Sequence, residues 1–469
     1  MGCATVWNIA QVIVKVNDSY YYFNMINQSI FKSYDVRGIY PADLNETAAF
    51  AIGRAFVAKT GTKNVAIGYD ARLSSPALFK ALAEGLLAAG AKVTTIGQVP
   101  TECVYFVLAN YDFDAGIMVT ASHNPKEYNG FKMIVKNGND LSIVRGLDLL
   151  PIIKEESIAG SIAGSPLAIA QKDILQDYIK YIFNLFDFSK IKKFIIVVDA
   201  SNGVVGNVLS KVTLPVEVVP LNFQPDGNFP NHSPNPLEPG AANQIKEVIL
   251  KRGADFGFMF DADADRIFLV DEQGNMVQAD LVLLLLAKYF LAKSPGSGIV
   301  YNAVCSKAVP EFVTQWGGVP ARTQVGAVNV RDGLLKNNGV VGGEFSAHYC
   351  FRDYFYMDSG LIALLAMLQI ISGDGRKVSE MVKELSLYFR STELNFKIED
   401  KQGILDKIKV KYADGKQDYL DGVTVEYQDW WFNVRPSNTE PVLRVSLLEA
   451  RSQKLLEEKK KELVDFINQ

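Results

Sequence analysis

Three aspartates alternate with alanines in the segment DADADR, residues 261–266. Apolar runs that predict strands flank it, FGFMF before and IFLV after. Carboxylates this close repel one another, so a bound cation is expected, and oxygen ligands favour Mg²⁺ or Ca²⁺. An EF-hand is a weak alternative, because its flanks are helices and its sixth loop position is Gly, where this chain has Arg266. A solvated acidic turn is the other alternative.

The segment TASHNP, residues 120–125, follows the apolar run GIMV and places a serine beside a histidine. Ser122, leaving the end of a predicted strand, is a candidate nucleophile. It lacks the flanking glycines of a hydrolase elbow, and Ser-Asn-Pro clusters also form ordinary turns. Beside a metal loop, however, a serine can accept a phosphoryl group without a catalytic triad.

Two further loops carry side chains suited to sugars and phosphates. In GGEFSAH (342–348), Glu344, Ser346 and His348 alternate, so all three face one side if the segment is extended. This set can bind a polyol, and imidazole moves protons near neutral pH. In RPSNTEP (435–441), Arg435 offers a bidentate fork for phosphate, with hydroxyls and backbone N–H groups beside it. Simple turns are the alternative for both loops.

An α/β framework is predicted to position these loops. KNVAIGYD predicts a strand, SSPALFKALAEGLLAAG a helix that Ser75 can cap, and AKVTTIG another strand, which together favour a parallel sheet. The pattern recurs near residues 194 and 298, and three strands end in a polar residue: Asp70, Asp199 and Asn302. This is a faint internal repeat. Ligands of such sheets bind beyond the carboxyl ends of strands, where the loops lie.

Length and composition exclude several classes of protein. The 469 residues predict about three or four domains. With 48% hydrophobic residues and a net charge of −4, the chain is of globular type and a poor candidate for nucleic-acid binding. Four dispersed cysteines predict a reduced, cytoplasmic chain. The apolar runs 281–287 and 360–368 are too short to span a membrane and predict buried helices.

Together, and in this order, the four loops resemble those of the α-D-phosphohexomutase superfamily, with a match from about Ile30 to the end of the chain. TASHNP resembles its active-site serine loop, DADADR its metal loop, GGEFSAH its sugar-binding loop and RPSNTEP its phosphate loop. SYDVRG (33–38) and YNGFK (128–132) also fit. The string GGEFSAHYCFRDYFYMDSG is most similar to bacterial members of the phosphomannomutase/phosphoglucomutase group.

The resemblance implies an α/β fold with three similar mixed-sheet domains plus a smaller C-terminal α+β domain around a central cleft. We predict domain I at residues 31–168, domain II at 169–275, domain III at 276–388 and domain IV at 389–469. Residues 1–30 form a leader of unknown role. We expect a cytoplasmic monomer or weak dimer that binds a hexose phosphate and neither nucleic acid nor membrane.

The resemblance also implies an activity, the interconversion of mannose 6-phosphate and mannose 1-phosphate. Phosphorylated Ser122 would give its phosphoryl group to the substrate, and the resulting 1,6-bisphosphate would turn and return its other phosphate. Glucose or mannose 1,6-bisphosphate would act as activator. One Mg²⁺ per active site would sit among Ser122, Asp261, Asp263 and Asp265. Other catalytic candidates are Arg37, Lys132, His123 and His348, and substrate-binding candidates are Arg266, Glu344, Ser346, His348, Arg435, Ser437, Asn438 and Thr439.

Three positions depart from the family pattern. Ala262 replaces the usual Gly of the metal loop, and Ala327 and Val304 stand where relatives often have His and a basic residue. Phosphoglucomutase and phosphoglucosamine mutase stay open as alternatives, because a preference at C2 of the sugar is subtle. The departures also keep open a non-catalytic sugar-phosphate-binding homologue. A metal-dependent phosphatase is a further alternative.

Overall fold

The fold is taken from a computed structural model, which describes residues 26–138, 140–155, 169–436 and 442–469. The first sheet begins at residue 36 and ends at residue 171. Its elements are β1 (Val36–Ile39), α1 (Glu46–Thr60), β2 (Asn64–Tyr69), α2 (Ser75–Ala88), β3 (Lys92–Gln98), α3 (Glu102–Asn110), β4 (Ala115–Val119), β5 (Tyr128–Asn137), β6 (Asp140–Val144), α4 (Gly146–Glu155) and β7 (Ile169–Gln171). The strand order is β1-β5-β4-β2-β3-β7, with β6 on β5. Because β7 pairs with β3, this sheet extends into the interval predicted for domain II.

The second and third sheets share one plan. The second region contains α5 (Leu175–Phe183), β8 (Ile195–Asp199), α6 (Val205–Leu209), β9 (Glu217–Leu221), α7 (Asn243–Arg252), β10 (Phe256–Phe260) and β11 (Ile267–Val270). The third contains α8 (Ala279–Lys293), β12 (Gly298–Asn302), α9 (Ala308–Gln315), β13 (Val319–Thr323), α10 (Ala327–Lys336), β14 (Gly339–Gly343), β15 (Tyr349–Phe351), α11 (Gly360–Asp374) and α12 (Val378–Leu385). Three strands are parallel in each, and the fourth pairs antiparallel at the edge.

The internal repeat seen in the sequence is a repeat of topology. The orders β11-β10-β8-β9 and β15-β14-β12-β13 match β5-β4-β2-β3 within the first sheet. Each of these three four-strand sets has three parallel strands followed in the chain by an antiparallel one. A loop predicted to carry chemistry joins the last parallel strand to the antiparallel strand in each set. The serine loop joins β4 to β5, the metal loop joins β10 to β11, and the sugar loop joins β14 to β15. All three loops therefore leave the carboxyl end of a parallel strand, where ligands are expected.

The fourth sheet is antiparallel throughout and has its own core. Its elements are β16 (Phe389–Arg390), β17 (Leu394–Phe396), α13 (Lys401–Lys411), β18 (Lys416–Asp418), β19 (Val423–Glu426), β20 (Trp430–Pro436), β21 (Leu443–Ala450) and α14 (Gln453–Ile467). Buried side chains of α13, α14 and the sheet, such as Ile408, Phe432 and Leu463, form a separate cluster. The predicted change to a smaller α+β unit is confirmed. The phosphate loop falls between β20 and β21.

A second, continuous core runs from α3 through the second and third sheets, including Val104, Phe258 and Leu284. The two apolar runs lie in α8 and α11 and are almost wholly buried, as predicted. None of the helices in the described part of the chain is long and apolar enough to cross a membrane. At the other end, Ile26 and Ile30, inside the predicted leader, are buried against the first sheet.

Candidate active site

One buried arginine shapes the serine loop. Arg72 follows β2, is 1% exposed, and pairs with Asp70 at 3.0 Å between Nε and Oδ2. Its two terminal nitrogens donate, at 2.6–3.1 Å, to the backbone carbonyls of Ser122, Asn124, Pro125 and Tyr128. Asp70 also accepts the hydroxyl of Thr120 at 2.8 Å. Because buried carbonyls need partners, this guanidinium determines the path of the loop.

An unusual backbone conformation turns Ser122 toward the metal loop. Its φ is +50°, in the left-handed region that residues other than Gly seldom adopt, and Thr120 Oγ1 accepts its N–H at 2.8 Å. The residue is 2% exposed, and its Oγ donates to Asp261 Oδ2 at 2.9 Å. His123 Nδ1 lies 3.2 Å from the same oxygen. Burial, Arg266 and Arg37 lower the pKa of His123, so its neutral ring can accept a proton.

The metal loop presents three buried carboxylates to one point. One oxygen each from Asp261, Asp263 and Asp265 lies within 4.8 Å of the others. Burial raises the pKa of Asp261, and the neighbouring charges of Asp265 and Asp263 add to the rise. The flanking elements are strands β10 and β11, so an EF-hand is excluded.

The donor set of this loop fits a hard divalent cation. Asp263 Oδ1 and Asp265 Oδ1 are buried and have no hydrogen-bond partner among the described residues. Carboxylate oxygens and a serine hydroxyl are the ligands that Mg²⁺ prefers. A cation among Asp261, Asp263, Asp265 and Ser122 would satisfy both orphaned oxygens and relieve the repulsion.

Cations from the first sheet surround these carboxylates. Lys132 on β5 donates to Asp263 Oδ2 at 2.7 Å and also contacts Asp265. Burial lowers the pKa of Lys132, but the two carboxylates outweigh it and the net shift is upward. Arg37 on β1 donates from Nη1 to Asn124 Oδ1 at 2.6 Å, and its buried Nε has no hydrogen-bond partner in the part of the chain that the structure describes. We call Ser122, Lys132 and the three aspartates the serine–metal group.

The sugar loop turns instead of extending. Ala347 has a φ of +66°, and its N–H donates to the Glu344 carbonyl at 3.0 Å. Glu344 Oε1 is occupied, since it accepts from the Gly326 N–H at 2.6 Å and from Asn302 Nδ2 at 3.0 Å. Ser346 Oγ lies 3.4 Å from Glu344 Oε2. The segment therefore adopts the turn that the sequence left open as the alternative, and Glu344 and Ser346 still lie together.

His348 lies with the metal loop. Its Nε2 is 2.9 Å from Arg266 Nε, and its Nδ1 is 2.9 Å from Asp358 Oδ2. Arg266 and His348 also form an isolated β-bridge that joins the metal loop to the sugar loop. Burial lowers the pKa of His348, but Asp265 and Asp358 outweigh it and the net shift is upward. Arg266 Nε lies 3.7 Å from Asp261 Oδ2.

Arg435 lies apart from the serine–metal group. At the end of β20, its Nη1 donates to Asp421 Oδ1 at 3.0 Å, and Asp421 also accepts the Val325 N–H at 2.8 Å. Among the described residues, no hydrogen bond or ion pair joins Arg435 to the serine–metal group. The predicted contacts Ser437, Asn438 and Thr439 lie outside the described residues.

The three departures from the family pattern have ordinary environments. Ala262 has no positive φ, while Ala264 does, at +65°, so the Gly-to-Ala change at 262 places no side chain in the left-handed region. Ala327 is the first residue of α10, and Val304 is 8% exposed. Neither adds a polar side chain to the third region.

Sequence reasoning missed Arg72, Thr101 and Asp358. Thr101, before α3, donates from Oγ1 to Asp263 Oδ2 at 2.6 Å and from its N–H to the Asp263 carbonyl at 3.0 Å. The signal for Arg72 was its place in a polar turn at the carboxyl end of β2.

The predicted cap of α2 was wrong. The Ser75 hydroxyl donates to Asp70 at 2.7 Å, and the N-terminus of α2 has no side-chain cap hydrogen bond among the described residues.

Comparison with known proteins gives one consistent result. Family models described as phosphoglucomutase/phosphomannomutase match in four parts: alpha/beta/alpha domain I at 28–156, domain II at 176–274, domain III at 278–388 and the C-terminal domain at 393–466. A protein named phosphohexose mutases from Xanthomonas campestris pv. campestris is 36% identical, covering 93% of this chain and 98% of its own. The phosphomannomutase of Escherichia coli K12 is 33% identical, covering 94% and 99%. A solved phosphoglucomutase/phosphomannomutase family protein from Burkholderia thailandensis has a TM-score of 0.84 at 33% identity, covering 94% and 98%.

Proposed function

Because the chain belongs to the phosphoglucomutase/phosphomannomutase family, we propose that it interconverts mannose 6-phosphate and mannose 1-phosphate through a phosphorylated Ser122. The observation that carries this proposal is the 2.9 Å contact between Ser122 Oγ and Asp261 Oδ2, inside a buried cluster of three aspartates. The mannose preference rests on the names of the relatives, such as the Escherichia coli phosphomannomutase.

In the first transfer, the bond between phosphorus and Ser122 Oγ breaks and a bond forms to a hydroxyl oxygen of the hexose phosphate. The hydroxyl proton ends on the Ser122 side, and His123 Nδ1, 3.2 Å from Oγ, is placed to relay it. The bisphosphate then turns, and the reverse step returns its other phosphate to Ser122. Lys132, Arg37 and Arg266 supply positive charge around the transferred group.

Asp261, Asp263, Asp265 and Ser122 would hold one Mg²⁺, as the two orphaned carboxylate oxygens support. A bound Mg²⁺ withdraws charge from phosphoryl oxygens as a Lewis acid. Arg435 would hold the phosphate that does not react, and Glu344 and Ser346 would meet the sugar hydroxyls. We also propose that a hexose 1,6-bisphosphate starts the cycle by phosphorylating Ser122, and that the four predicted domains each supply one loop.

Intact mass spectrometry tests the proposal. After incubation with glucose 1,6-bisphosphate and Mg²⁺, the wild type should gain one phosphoryl group, and Ser122→Ala should gain none. Turnover of the 1-phosphates of mannose, glucose and glucosamine then ranks the substrates, with mannose expected first. Absence of labelling together with absence of turnover would leave a sugar-phosphate-binding protein.

A further inference from the structure

Asp358 is a buried carboxylate outside the four predicted loops. It is 5% exposed and directly precedes Ser359, whose hydroxyl caps α11 by accepting the Ile362 N–H. The backbone of Asp358 forms an isolated β-bridge with Cys350, the middle residue of β15. Asp358 therefore lies just before the N-cap of an almost entirely buried helix.

The hydrogen bonds around His348 have only one consistent assignment of donors. Arg266 Nε lies 2.9 Å from His348 Nε2, and a guanidinium can only donate, so Nε2 must accept with its lone pair. The ring hydrogen is then on Nδ1, which donates to Asp358 Oδ2 at 2.9 Å. Asp358 thereby selects the tautomer of His348, because a carboxylate at Nδ1 can only accept.

We propose that Asp358 is a positioning residue for phosphoryl transfer, acting through His348 to orient the Arg266 guanidinium beside the serine–metal group. Arg266 Nε also lies 3.7 Å from Asp261 Oδ2, the oxygen that accepts from Ser122 Oγ at 2.9 Å. The successive contacts Asp358–His348–Arg266 therefore lead to Asp261, the hydrogen-bond partner of Ser122. Without Asp358 the ring is free to carry its hydrogen on Nε2, where it would face the Arg266 N–H and displace it.

This inference rests on the proposed function for its kinetic consequence alone. We expect Asp358→Ala to lower kcat about 10- to 100-fold, the usual effect of losing such an outer partner, with KM changed less than about threefold. Asp358→Asn should lie between that variant and wild type, since its carboxamide oxygen can still accept from Nδ1. In a His348→Ala background, Asp358→Ala should change kcat less than about threefold, because the intermediary is gone.

Asp353→Ala is the matched control, because its side chain is 62% exposed and pairs only with the adjacent Arg352 among the described residues. Its kcat should equal that of wild type. Wild-type kcat in Asp358→Ala, or equal losses in the wild-type and His348→Ala backgrounds, would overturn the proposal.

The tautomer is measured without relying on any Asp358 variant. The chain has three histidines, so ¹⁵N-histidine NMR of wild type is assignable by single substitutions. At mildly alkaline pH, His348 should show hydrogen on Nδ1 and a bare Nε2; the opposite pattern would overturn the inference. If wild type turns over no hexose phosphate, the proposed function fails, and the NMR result still decides the assignment.

Discussion

The junction between the first and second sheets and the junction between the third and fourth are built differently. At the first, Thr101 and Lys132 reach Asp263, which is fully buried, and α3 shares a continuous core with the second and third sheets. At the second, Arg322 meets Asp418, whose side chain is 38% exposed, and the fourth sheet has a separate core. We therefore expect the buried first junction to position the reacting groups, and the second junction, where Arg435 lies, to serve the recognition of phosphate.

The base of the fourth region is the exception. Arg390 on β16 bridges Asp280 and Glu449 at 2.7 Å each, and both carboxylates are fully buried. Glu449 also accepts from Trp431 Nε1 at 2.8 Å. Buried ion pairs therefore hold the base of the fourth region, whereas the contact at Asp418 is partly exposed.

The largest effect on kcat is expected from replacing Asp261, which contacts Ser122 at the first junction. Asp261→Asn removes one negative charge from the proposed cation site and leaves Ser122 only a neutral carboxamide acceptor, so kcat should fall by about 1,000-fold or more. Thermal stability in the absence of metal should be unchanged or higher, because the substitution removes a buried charge and its repulsion with Asp265 and Asp263. Burial first, and then these two charges, raise the pKa of Asp261. Asp255→Asn, at an exposed position, is the control. A lower melting temperature in Asp261→Asn would contradict the charge argument.

Arg72→Met should affect stability and activity together. Removing this guanidinium takes the ion-pair partner from Asp70 and one hydrogen-bond donor from each of four carbonyls, three in the serine loop and one at the start of β5. Losing one partner of a buried ion pair costs about 3–5 kcal/mol, which urea denaturation would measure. We expect kcat to fall by about 100-fold because Ser122 loses its position. The exposed Arg252, substituted in the same way, should behave as wild type within about 0.5 kcal/mol.

Arg435→Gln tests the second junction. Losing charge-assisted hydrogen bonds of about 1.5–3 kcal/mol should raise KM for the hexose phosphate by about 10- to 100-fold. The rate of Ser122 phosphorylation at saturating bisphosphate should change much less. If that rate fell as far as in Asp261→Asn, the two junctions would not divide positioning from recognition.

The smallest expected effect is a dependence of stability on pH at His232. Burial lowers the pKa of His232. The hydrogen bond to Asp199, at 3.0 Å, and the negative charge of Asp199 outweigh the effect of burial, so the folded-state pKa is raised. The stabilisation is thus fully present below the unfolded pKa of about 6.5 and is lost as pH rises through the folded-state value. The difference in free energy of unfolding between wild type and His232→Asn should shrink over that window. A difference that grows with pH would reverse the sign of this argument.

Sequence predicted the parts of the site whose members are neighbours in the chain. The aspartates of DADADR are two residues apart, so their mutual repulsion is visible without a structure. Arg72 could not be assigned in this way, because the backbone carbonyls that it binds lie 50–56 residues further on. Asp358 was missed for a related reason, since its role depends on a bond to His348 across the turn after β15. The conformation at Glu344 stayed open between an extended segment and a turn, because alternation alone does not distinguish a strand from a tight loop.

The equivalent placement of the serine, metal and sugar loops has an evolutionary consequence. If the three sheets descend from one duplicated unit, the same hairpin was inherited three times and then specialised separately for nucleophile, cation and sugar. A hairpin at a sheet end can change its residues without disturbing the strands that carry it. Descendants of such an ancestor can therefore alter the third copy and acquire new sugars while the chemistry of the first two is passed on intact.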